Sequence, residues 1–326
     1  MRAVRFHEFG GPDVFTVESI DRPAPGPEEL LVRVGATSVN PVDTYIREGA
    51  YEPADLPWIP GSDLAGTVES VGDSVETFGP GDRVYATGIG LDRPGGAAEF
   101  VTVPTDRVAR LPDRLSFAEG AALALVGATA WRTLIDVCDC DPSERVLIHG
   151  GSGGVGHVAV QLAAAAGARV TATAAPEYHD AVREFGADAV VDYDRNDLDE
   201  AIVAAGRPDV VLDHRADEYL DLDATVAAQG ARIGVIGNEA SDATFADVPR
   251  WRGKGLSVHH VSLYNERAID RVLERLARLA ADGQLRPQVA RRYDLPDLPA
   301  AQRAIRSESV CGKLVVEPTD QRGGPA

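Results

Sequence analysis

Lysine is nearly absent from this 326-residue chain, in which Lys254 and Lys313 are the only two. Lys and Arg together number 32 against 51 Asp and Glu, so the formal net charge is −19. A surface this acidic repels phosphate backbones and anionic lipids, and we therefore expect no nucleic-acid partner and no membrane partner. The composition also resembles that of proteins from salt-accumulating microbes, in which salt screens self-repulsion. An ordinary acidic protein encoded by GC-rich DNA is the alternative.

Cysteine is also scarce, and the three residues Cys138, Cys140 and Cys311 cannot form a disulfide framework. The N-terminal Met-Arg lacks an apolar signal core, and we expect no apolar run of membrane-spanning length. These absences predict a cytoplasmic protein. A length of 326 residues is enough for two domains, each with its own buried core.

Glycine is concentrated at one informative turn. An apolar run at residues 145–148 precedes Gly151, Gly153 and Gly156, which have the spacing G-x-G-x-x-G, and a helix-forming run follows at residues 158–166. This strand, turn and helix predict a dinucleotide pyrophosphate bound to backbone N–H groups at a helix N-terminus. The residues predicted to contact it are Ser152, Gly153, Gly154 and Val155.

The same letters also fit G-x-S-x-G, the nucleophile elbow of α/β-hydrolases, through Gly150, Ser152 and Gly154. A hydrolase needs an acid and then a histidine later in the chain, and Asp213 followed by His259 or His260 has that order. Against this alternative, three more strand–helix units follow at the spacing of a dinucleotide fold.

The rest of the chain divides into a β-rich part and an alternating part. Residues 1 to about 115 are short alternating stretches broken by Gly and Pro, typical of a barrel-like β domain. A helix follows at residues 116–136, with Ser116 as N-cap and Glu119 three residues later. Beyond the glycine turn, strands at 169–174, 189–192, 209–213, 232–236 and 257–263 alternate with helices at 178–185, 198–205 and 220–228. This alternation predicts a doubly wound parallel sheet.

Several motifs make the chain resemble zinc-independent quinone oxidoreductases of the medium-chain dehydrogenase/reductase superfamily, the group that includes zeta-crystallin. They lie at residues 1–12, 38–47, 60–66, 81–84, 150–156 and 311–315. The resemblance implies an α/β protein in which a Rossmann domain (123–264) is inserted in a GroES-like catalytic domain (1–122 and 265–326), with the substrate in the cleft between them. It also implies a homodimer or homotetramer. We expect an amphipathic helix at 265–282, short strands within 289–316 and a disordered tail after Pro318.

Departures from the zinc alcohol dehydrogenases predict that no zinc is bound. Asn40 stands where those enzymes have a catalytic Cys, Gly61-Ser62-Asp63 replaces Gly-His-Glu, and no Cys precedes Cys138. The resemblance instead assigns the cleft beside the nicotinamide to Asn40, Tyr45 and Tyr51. Asn40 would donate an amide N–H, and Tyr45 a hydroxyl and an aromatic wall. Alternatively, Asn40-Pro41 is a turn and both tyrosines are packing residues.

Cofactor choice depends on the end of the second strand, where NAD enzymes usually carry an acid and this chain has Ala174. We therefore favour NADPH without excluding NADH, although Tyr178 replaces the Lys of many relatives. The other cofactor contacts that the sequence and the resemblance suggest are Thr129, Thr173, Tyr178, His179, Tyr193, Ile236, Gly237, Leu263 and Tyr264. The roles of His214 and Arg215 remain open.

The sequence thus predicts a zinc-free NADPH-dependent reductase that transfers hydride to a quinone or a related α,β-unsaturated carbonyl. An enoyl or alkenal double-bond reductase on the same scaffold is one alternative. A cofactor-binding protein with a structural role, as in lens crystallins, is another.

Overall fold

The computed structural model describes residues 1–265 and 268–318, which form two compact units. Unit 1 comprises residues 1–128 and 266–326, and unit 2 comprises residues 129–265. The sequence-based boundary at residues 122/123 falls inside a helix, Phe117–Trp131, that crosses from one unit to the other. The tail predicted to be disordered after Pro318 lies outside the described residues.

The first part of unit 1 is β-rich. Its elements are β1 (Arg2–Phe6), β2 (Phe15–Ser19), β3 (Glu29–Ser38), α1 (Pro41–Glu48), β4 (Asp63–Val71), β5 (Arg83–Thr87), β6 (Phe100–Pro104), β7 (Val108–Arg110) and α2 (Phe117–Trp131). Helix α2 continues as a π-helix, Arg132–Val137. Helix α2 itself begins with the predicted capping box. The Glu119 N–H donates to Ser116 Oγ (3.3 Å), and Glu119 Oε2 accepts from the Ser116 N–H (2.7 Å).

Unit 2 alternates strands and helices. Its elements are β8 (Arg145–Ile148), α3 (Gly154–Ala165), β9 (Arg169–Ala174), α4 (His179–Glu184), β10 (Ala189–Asp192), α5 (Leu198–Ala205), β11 (Val210–Asp213), α6 (Ala216–Val226), β12 (Arg232–Val235), α7 (Val248–Lys254) and β13 (Ser257–His260). All the strand pairs are parallel, in the order β10-β9-β8-β11-β12-β13. The predicted doubly wound sheet is confirmed.

The strand order places the glycine-rich turn at the point where ligands bind in such sheets. The chain winds outward from β8 in one direction through β9 and β10 and in the other through β11, β12 and β13, so the topological switch lies between β8 and β11. The glycine-rich turn leaves the carboxyl end of β8 at that switch. The strands themselves are apolar and buried, as at Leu147 and Ile148, because both faces of the sheet are covered by helices.

The last part of unit 1 contains α8 (Ile269–Ala281), β14 (Val289–Asp294), α9 (Leu298–Ser307) and β15 (Lys313–Glu317). Strands β15 and β14 extend the unit 1 sheet to β14-β15-β3-β4-β5-β7, with β6 also pairing with β3. Three helices were not predicted from the sequence: α1, α7 and α9. Helix α9 buries Leu298, Ala301 and Ala304, a three-residue spacing that was overlooked among short strands.

Several predicted bounds in unit 2 are wrong, and those of α6 and β13 are among the largest differences. Helix α6 begins at Ala216 instead of residue 220, because Asp217 and Glu218 suit the positive N-terminal end of a helix. Strand β13 ends at His260 instead of residue 263, since a 3-10 turn, Leu263–Asn265, follows it.

The expectation that no apolar run reaches membrane-spanning length is also wrong. The 21-residue helical stretch Phe117–Val137 passes that test of length and composition. However, 67% of its most apolar 18-residue segment is buried inside the structure, and buried core helices can have the same length and composition.

Candidate functional site

The turn after β8 is held in place by the neighbouring strand β9. The Gly150 N–H donates to Thr173 Oγ1 (3.0 Å), and the Gly151 N–H donates to the Thr173 carbonyl (2.7 Å). Thr173 is only 1% exposed. Thr173 thus holds the turn in place, and its contact with the cofactor stays a prediction.

The N-terminus of α3 presents free backbone donors. Gly153 is the N-cap, in extended conformation (φ −72°, ψ −177°), and no side chain caps this helix within the described ranges. The first hydrogen bond of the helix runs from the His157 N–H to the Gly153 carbonyl (3.0 Å). The N–H groups of Gly154, Val155 and Gly156 precede it and have no acceptor within the helix, which makes this end an anion site.

The three glycines of the motif differ in what an added Cβ would meet. At Gly156 the Cβ would lie 2.0 Å from the Gly150 carbonyl oxygen, and at Gly151 it would lie 2.7 Å from the Cβ of Ala172. At Gly153 the nearest protein atom is 3.3 Å away. Gly151 and Gly156 are thus required by packing. At Gly153 the Gly150 carbonyl oxygen is a tight contact, but no other atom of the described chain beyond its neighbours lies within 4 Å of the Cβ position, so these residues fit the pyrophosphate of a dinucleotide.

The sheet edge next to the turn carries the residues suggested for the 2′-phosphate. Strands β9 and β10 end in register, with Asp192 opposite Ala174. His179 Nε2 lies 3.1 Å from the Ala174 carbonyl, and Tyr193, directly after β10, is 44% exposed. The half-buried Tyr178 ends the short 3-10 turn that precedes His179. The structure thus brings Tyr178, His179 and Tyr193 to one edge that has no acid at Ala174.

The remaining suggested contacts follow other strands or lie on α2. Ile236 and Gly237 follow β12, where the Ile236 N–H donates to the Asp213 carbonyl (2.8 Å). Leu263, which is buried, and Tyr264 lie in the 3-10 turn after β13. Thr129 is 8% exposed on α2, and its carbonyl accepts from the Thr133 hydroxyl (2.7 Å).

A cluster of buried titratable side chains lies beneath the turn and was not predicted. His149, which precedes Gly150, has Nε2 2.9 Å from Asp223 Oδ1. Asp213, the last residue of β11, is buried in the same cluster. Burial, reinforced by the Asp223 carboxyl, raises the pKa of Asp213 to about 7, and burial raises the pKa of Asp223. Burial also lowers the pKa of His149 to about 4.

His214 extends this cluster. A Cβ at Gly150 would lie 3.0 Å from His214 Cε1, so the imidazole covers the first glycine of the turn. Burial, with the nearby His149 and Arg215, lowers the pKa of His214 to about 4. Arg215 pairs with Glu218 (2.7 Å). The side chains of His214 and Arg215 therefore contact other residues of unit 2.

In unit 1, Asn40 lies in a second buried network. It is the N-cap of α1 in a capping box with Asp43, and it is 1% exposed. Its Nδ2 donates to Asp63 Oδ2 (2.7 Å), while its Oδ1 accepts from Lys313 Nζ (2.5 Å). If the amide were flipped, its NH2 group would face the Lys313 ammonium and its oxygen would face the Asp63 carboxyl. These two partners therefore determine the orientation of the amide. One amide hydrogen of Asn40 remains after these bonds.

This network contains two buried carboxyls, of Asp43 and Asp63, and one ammonium, of Lys313. Asp43 Oδ1 accepts from the N–H (3.0 Å) and hydroxyl (2.6 Å) of Ser62, and burial raises the pKa of Asp43 to about 6. Burial also raises the pKa of Asp63, opposed chiefly by the Lys313 ammonium, and lowers the pKa of Lys313. Sequence reasoning missed Lys313, although a lysine beside the apolar run 314–316 was the available signal.

The two predicted tyrosines of unit 1 are neighbours. Their ring centroids are 6.4 Å apart, and Tyr51 is 51% exposed. Arg306 of α9 donates to Tyr45 Oη (3.2 Å) and lies 5.5 Å from the centre of that ring. Tyr45 therefore has a hydroxyl polarised by a cation, and neither tyrosine is a fully buried packing residue.

The family model of the alcohol dehydrogenase GroES-like domain matches residues 26–113, and that of the zinc-binding dehydrogenase matches residues 185–316. Quinone oxidoreductase from Homo sapiens is 35% identical over 327 residues, 97% of each chain. A crystal structure of an NAD-dependent alcohol dehydrogenase has a TM-score of 0.92 at 30% identity, covering 98% of this chain and 100% of that one. The Escherichia coli quinone oxidoreductase complexed with NADPH has a TM-score of 0.88 at 28% identity, covering 98% and 100%.

Zinc, which the name of the second family model implies, does not fit the donors present. Within residues 1–265 and 268–318, no three His, Cys, Asp or Glu side chains form a group that could hold a metal ion. At the position of the catalytic Cys of the zinc enzymes, the Asn40 amide bonds to Asp63 and Lys313.

Together, the doubly wound unit with its open glycine turn, the β-rich unit and these matches define an oxidoreductase with a Rossmann-type and a GroES-like part. More particularly, the chain belongs to the quinone oxidoreductase family of the medium-chain dehydrogenase/reductase superfamily, as the sequence motifs predicted.

Proposed function

We propose that this protein is a zinc-free, NADPH-dependent reductase of quinones or related α,β-unsaturated carbonyls. The observation that carries the proposal is the N-terminus of α3, where the N–H groups of Gly154, Val155 and Gly156 have no acceptor within the helix and can bind a pyrophosphate. This anion site also argues against the hydrolase alternative. A bound nicotinamide dinucleotide would supply the hydride.

The cofactor preference rests on the edge formed by β9 and β10. Ala174 presents no carboxylate at the end of β9 to bind a 2′-hydroxyl, and the acid at this edge is Asp192, opposite it at the end of β10. His179 and Tyr193 lie at the same edge and offer an imidazole and a phenol to a phosphate. We therefore assign the 2′-phosphate to these residues, and the pyrophosphate to the turn at Ser152–Val155.

For the substrate, we assign two polar groups of unit 1. The remaining N–H of Asn40 would donate to the oxygen of a quinone or enone as negative charge develops on it. Since Asp63 and Lys313 already orient the amide, no reorganisation is needed at that moment. The Tyr45 hydroxyl, held by Arg306, would be a second donor beside a flat substrate. We further propose a cytoplasmic homodimer or homotetramer.

The test is a titration of NADPH and NADH followed by turnover with a panel of quinones, enones and enoyl substrates in high salt. We expect tighter binding of NADPH and quinone-dependent NADPH oxidation. Asn40→Ala should lower turnover about 100-fold and Tyr45→Phe roughly tenfold, with the Kd for NADPH nearly unchanged.

Each other outcome overturns a specific part of this proposal. Wild-type turnover in both variants would remove their chemical role, and equal activity with NADH would overturn the NADPH preference. If NADPH binds but no acceptor stimulates its oxidation, the structural, crystallin-like role replaces the enzymatic one. A preference for enoyl substrates would identify a double-bond reductase.

A further inference from the structure

Arg306, in the last turn of α9, is an exposed cation of unit 1 that has no acidic partner. Its Nη1 donates to the Tyr45 hydroxyl (3.2 Å), and among residues 1–265 and 268–318 no carboxylate oxygen lies within 4 Å of its guanidinium. Arg303, on the same helix, instead pairs with Asp13 (3.0 Å). Arg306 therefore keeps most of its N–H donors and its whole charge available to a bound anion.

This cation lies beside two aromatic rings. Its Cζ is 5.5 Å from the centre of the Tyr45 ring, whose centroid is 6.4 Å from that of Tyr51. Tyr45 is half-buried and Tyr51 is exposed, so parts of both rings face solvent. In the part of the chain that the structure describes, the Tyr45 hydroxyl accepts from Arg306 and donates to no other residue. These three residues, which we call the Arg306 patch, thus combine flat apolar surface, a hydroxyl donor and positive charge.

The helices that carry the patch are fixed to each other by a buried arginine. Arg47 of α1 donates from Nη1 to Gln302 Oε1 of α9 (2.5 Å), and from Nε to the Gly10 carbonyl (2.8 Å). Arg47 is 2% exposed, and its charge is paired with that of Glu48. Because this link joins α1 to α9, Arg306 is held beside Tyr45 before any substrate binds.

We propose that Arg306 makes the protein selective for quinones, or related enones, that carry an anionic group such as a carboxylate or a sulfonate. The tyrosine rings would hold the flat part of such a substrate, and the guanidinium would donate two N–H groups to its anion. The formal net charge of −19 repels anions from the protein as a whole, so an anionic acceptor depends on a local cation. This inference rests on the proposed reduction of quinones or enones beside Tyr45.

The experiment compares two acceptors, 1,4-naphthoquinone-2-sulfonate and the neutral 1,4-naphthoquinone, in NADPH oxidation by wild type, Arg306→Gln and Arg303→Gln. Glutamine keeps an N–H donor for the Tyr45 hydroxyl but has no charge. In Arg306→Gln, kcat/KM for the sulfonate should fall about tenfold more than kcat/KM for the neutral quinone. Comparing the ratio of the two values between proteins removes the difference in reduction potential between the two quinones.

Arg303→Gln is the matched control, because it removes a cation of the same helix that is already paired with Asp13. It should keep the wild-type ratio. Raising KCl from about 0.2 M to about 2 M should bring the wild-type ratio close to that of Arg306→Gln, since salt screens an exposed charge. An equal loss with both quinones in Arg306→Gln would show that Arg306 acts only through Tyr45, and would overturn the inference. A higher Kd for NADPH in Arg306→Gln would assign the cation to the cofactor and would also overturn it.

A second readout does not need hydride transfer. Naphthalene-2-sulfonate has the anion and the flat ring but cannot accept a hydride, and its Kd is measured by calorimetry without NADPH. We expect this Kd to be about tenfold higher in Arg306→Gln than in wild type, and unchanged in Arg303→Gln. Equal Kd values in wild type and Arg306→Gln would contradict the proposed role of Arg306. If no quinone or enone stimulates NADPH oxidation, only the proposed function fails, and the sulfonate titration still decides whether Arg306 binds the anion.

Discussion

The turn contains glycine for two reasons, close packing within the protein and close approach of a pyrophosphate, and Gly153→Ala separates the two. Gly153 has an ordinary extended backbone (φ −72°) that alanine adopts freely, and the added Cβ would approach no protein atom closer than 3.3 Å. The Gly150 carbonyl must shift by a few tenths of an ångström to accommodate the methyl group. Alanine is a poorer N-cap than glycine by about 0.5–1 kcal/mol, and the less flexible unfolded chain offsets roughly that amount. We expect the Tm without cofactor to change little.

The effect on binding should be much larger. The methyl group would occupy the space through which a pyrophosphate approaches the N–H groups of Gly154 and Val155. Hydrogen bonds to charged groups contribute about 1.5–3 kcal/mol each, so disturbing one or two costs on the order of 3 kcal/mol. That loss corresponds to a Kd about 100-fold higher. Turnover at saturating NADPH should fall less than turnover divided by KM.

The assay is a fluorescence titration with NADPH beside a thermal unfolding curve, with Gly156→Ala as the matched control. The Gly156 Cβ would lie 2.0 Å from the Gly150 carbonyl oxygen, so backbone must move and both stability and binding should fall, stability by about 1–3 kcal/mol. If Gly153→Ala binds NADPH with unchanged Kd, the N-terminus of α3 is not the pyrophosphate site. If Gly153→Ala unfolds as easily as Gly156→Ala, the Gly150 carbonyl cannot shift to make room for the methyl group.

Two further predictions concern charge. Because the formal net charge is −19, the fold should be weaker in dilute buffer than in molar KCl, and equal Tm values in the two would contradict this reading. Lys313→Met should destabilise the protein by about 3–5 kcal/mol in urea unfolding, because it leaves Asp63 buried without its cation and Asn40 Oδ1 without its donor. A loss below about 1 kcal/mol would show that the carboxyls are already neutral without Lys313.

Local sequence patterns predicted unit 2 well because its elements are defined by their own periodicity. The bounds of β9, β10 and α5 match the predicted ranges, since each is a short apolar or amphipathic run between turn residues. The missed helices had weaker local signals. Helix α1 follows Asn40-Pro41, which reads equally as a turn, and its capping box depends on Asp43 reaching back to the Asn40 N–H.

By itself, the sequence determined the alternation of strands and helices, the glycine spacing and the family, because these depend on neighbouring residues. Only the tertiary structure decided which polar groups meet. Asn40, Asp63 and Lys313 come from three strands or strand ends far apart in the chain, and pairing of β3 with β4 and β15 brings them within hydrogen-bond distance. The contact between His149 and Asp223 likewise joins residues 74 positions apart in the chain. Burial of such groups sets their pKa values, and burial is a property of the fold rather than of any local pattern.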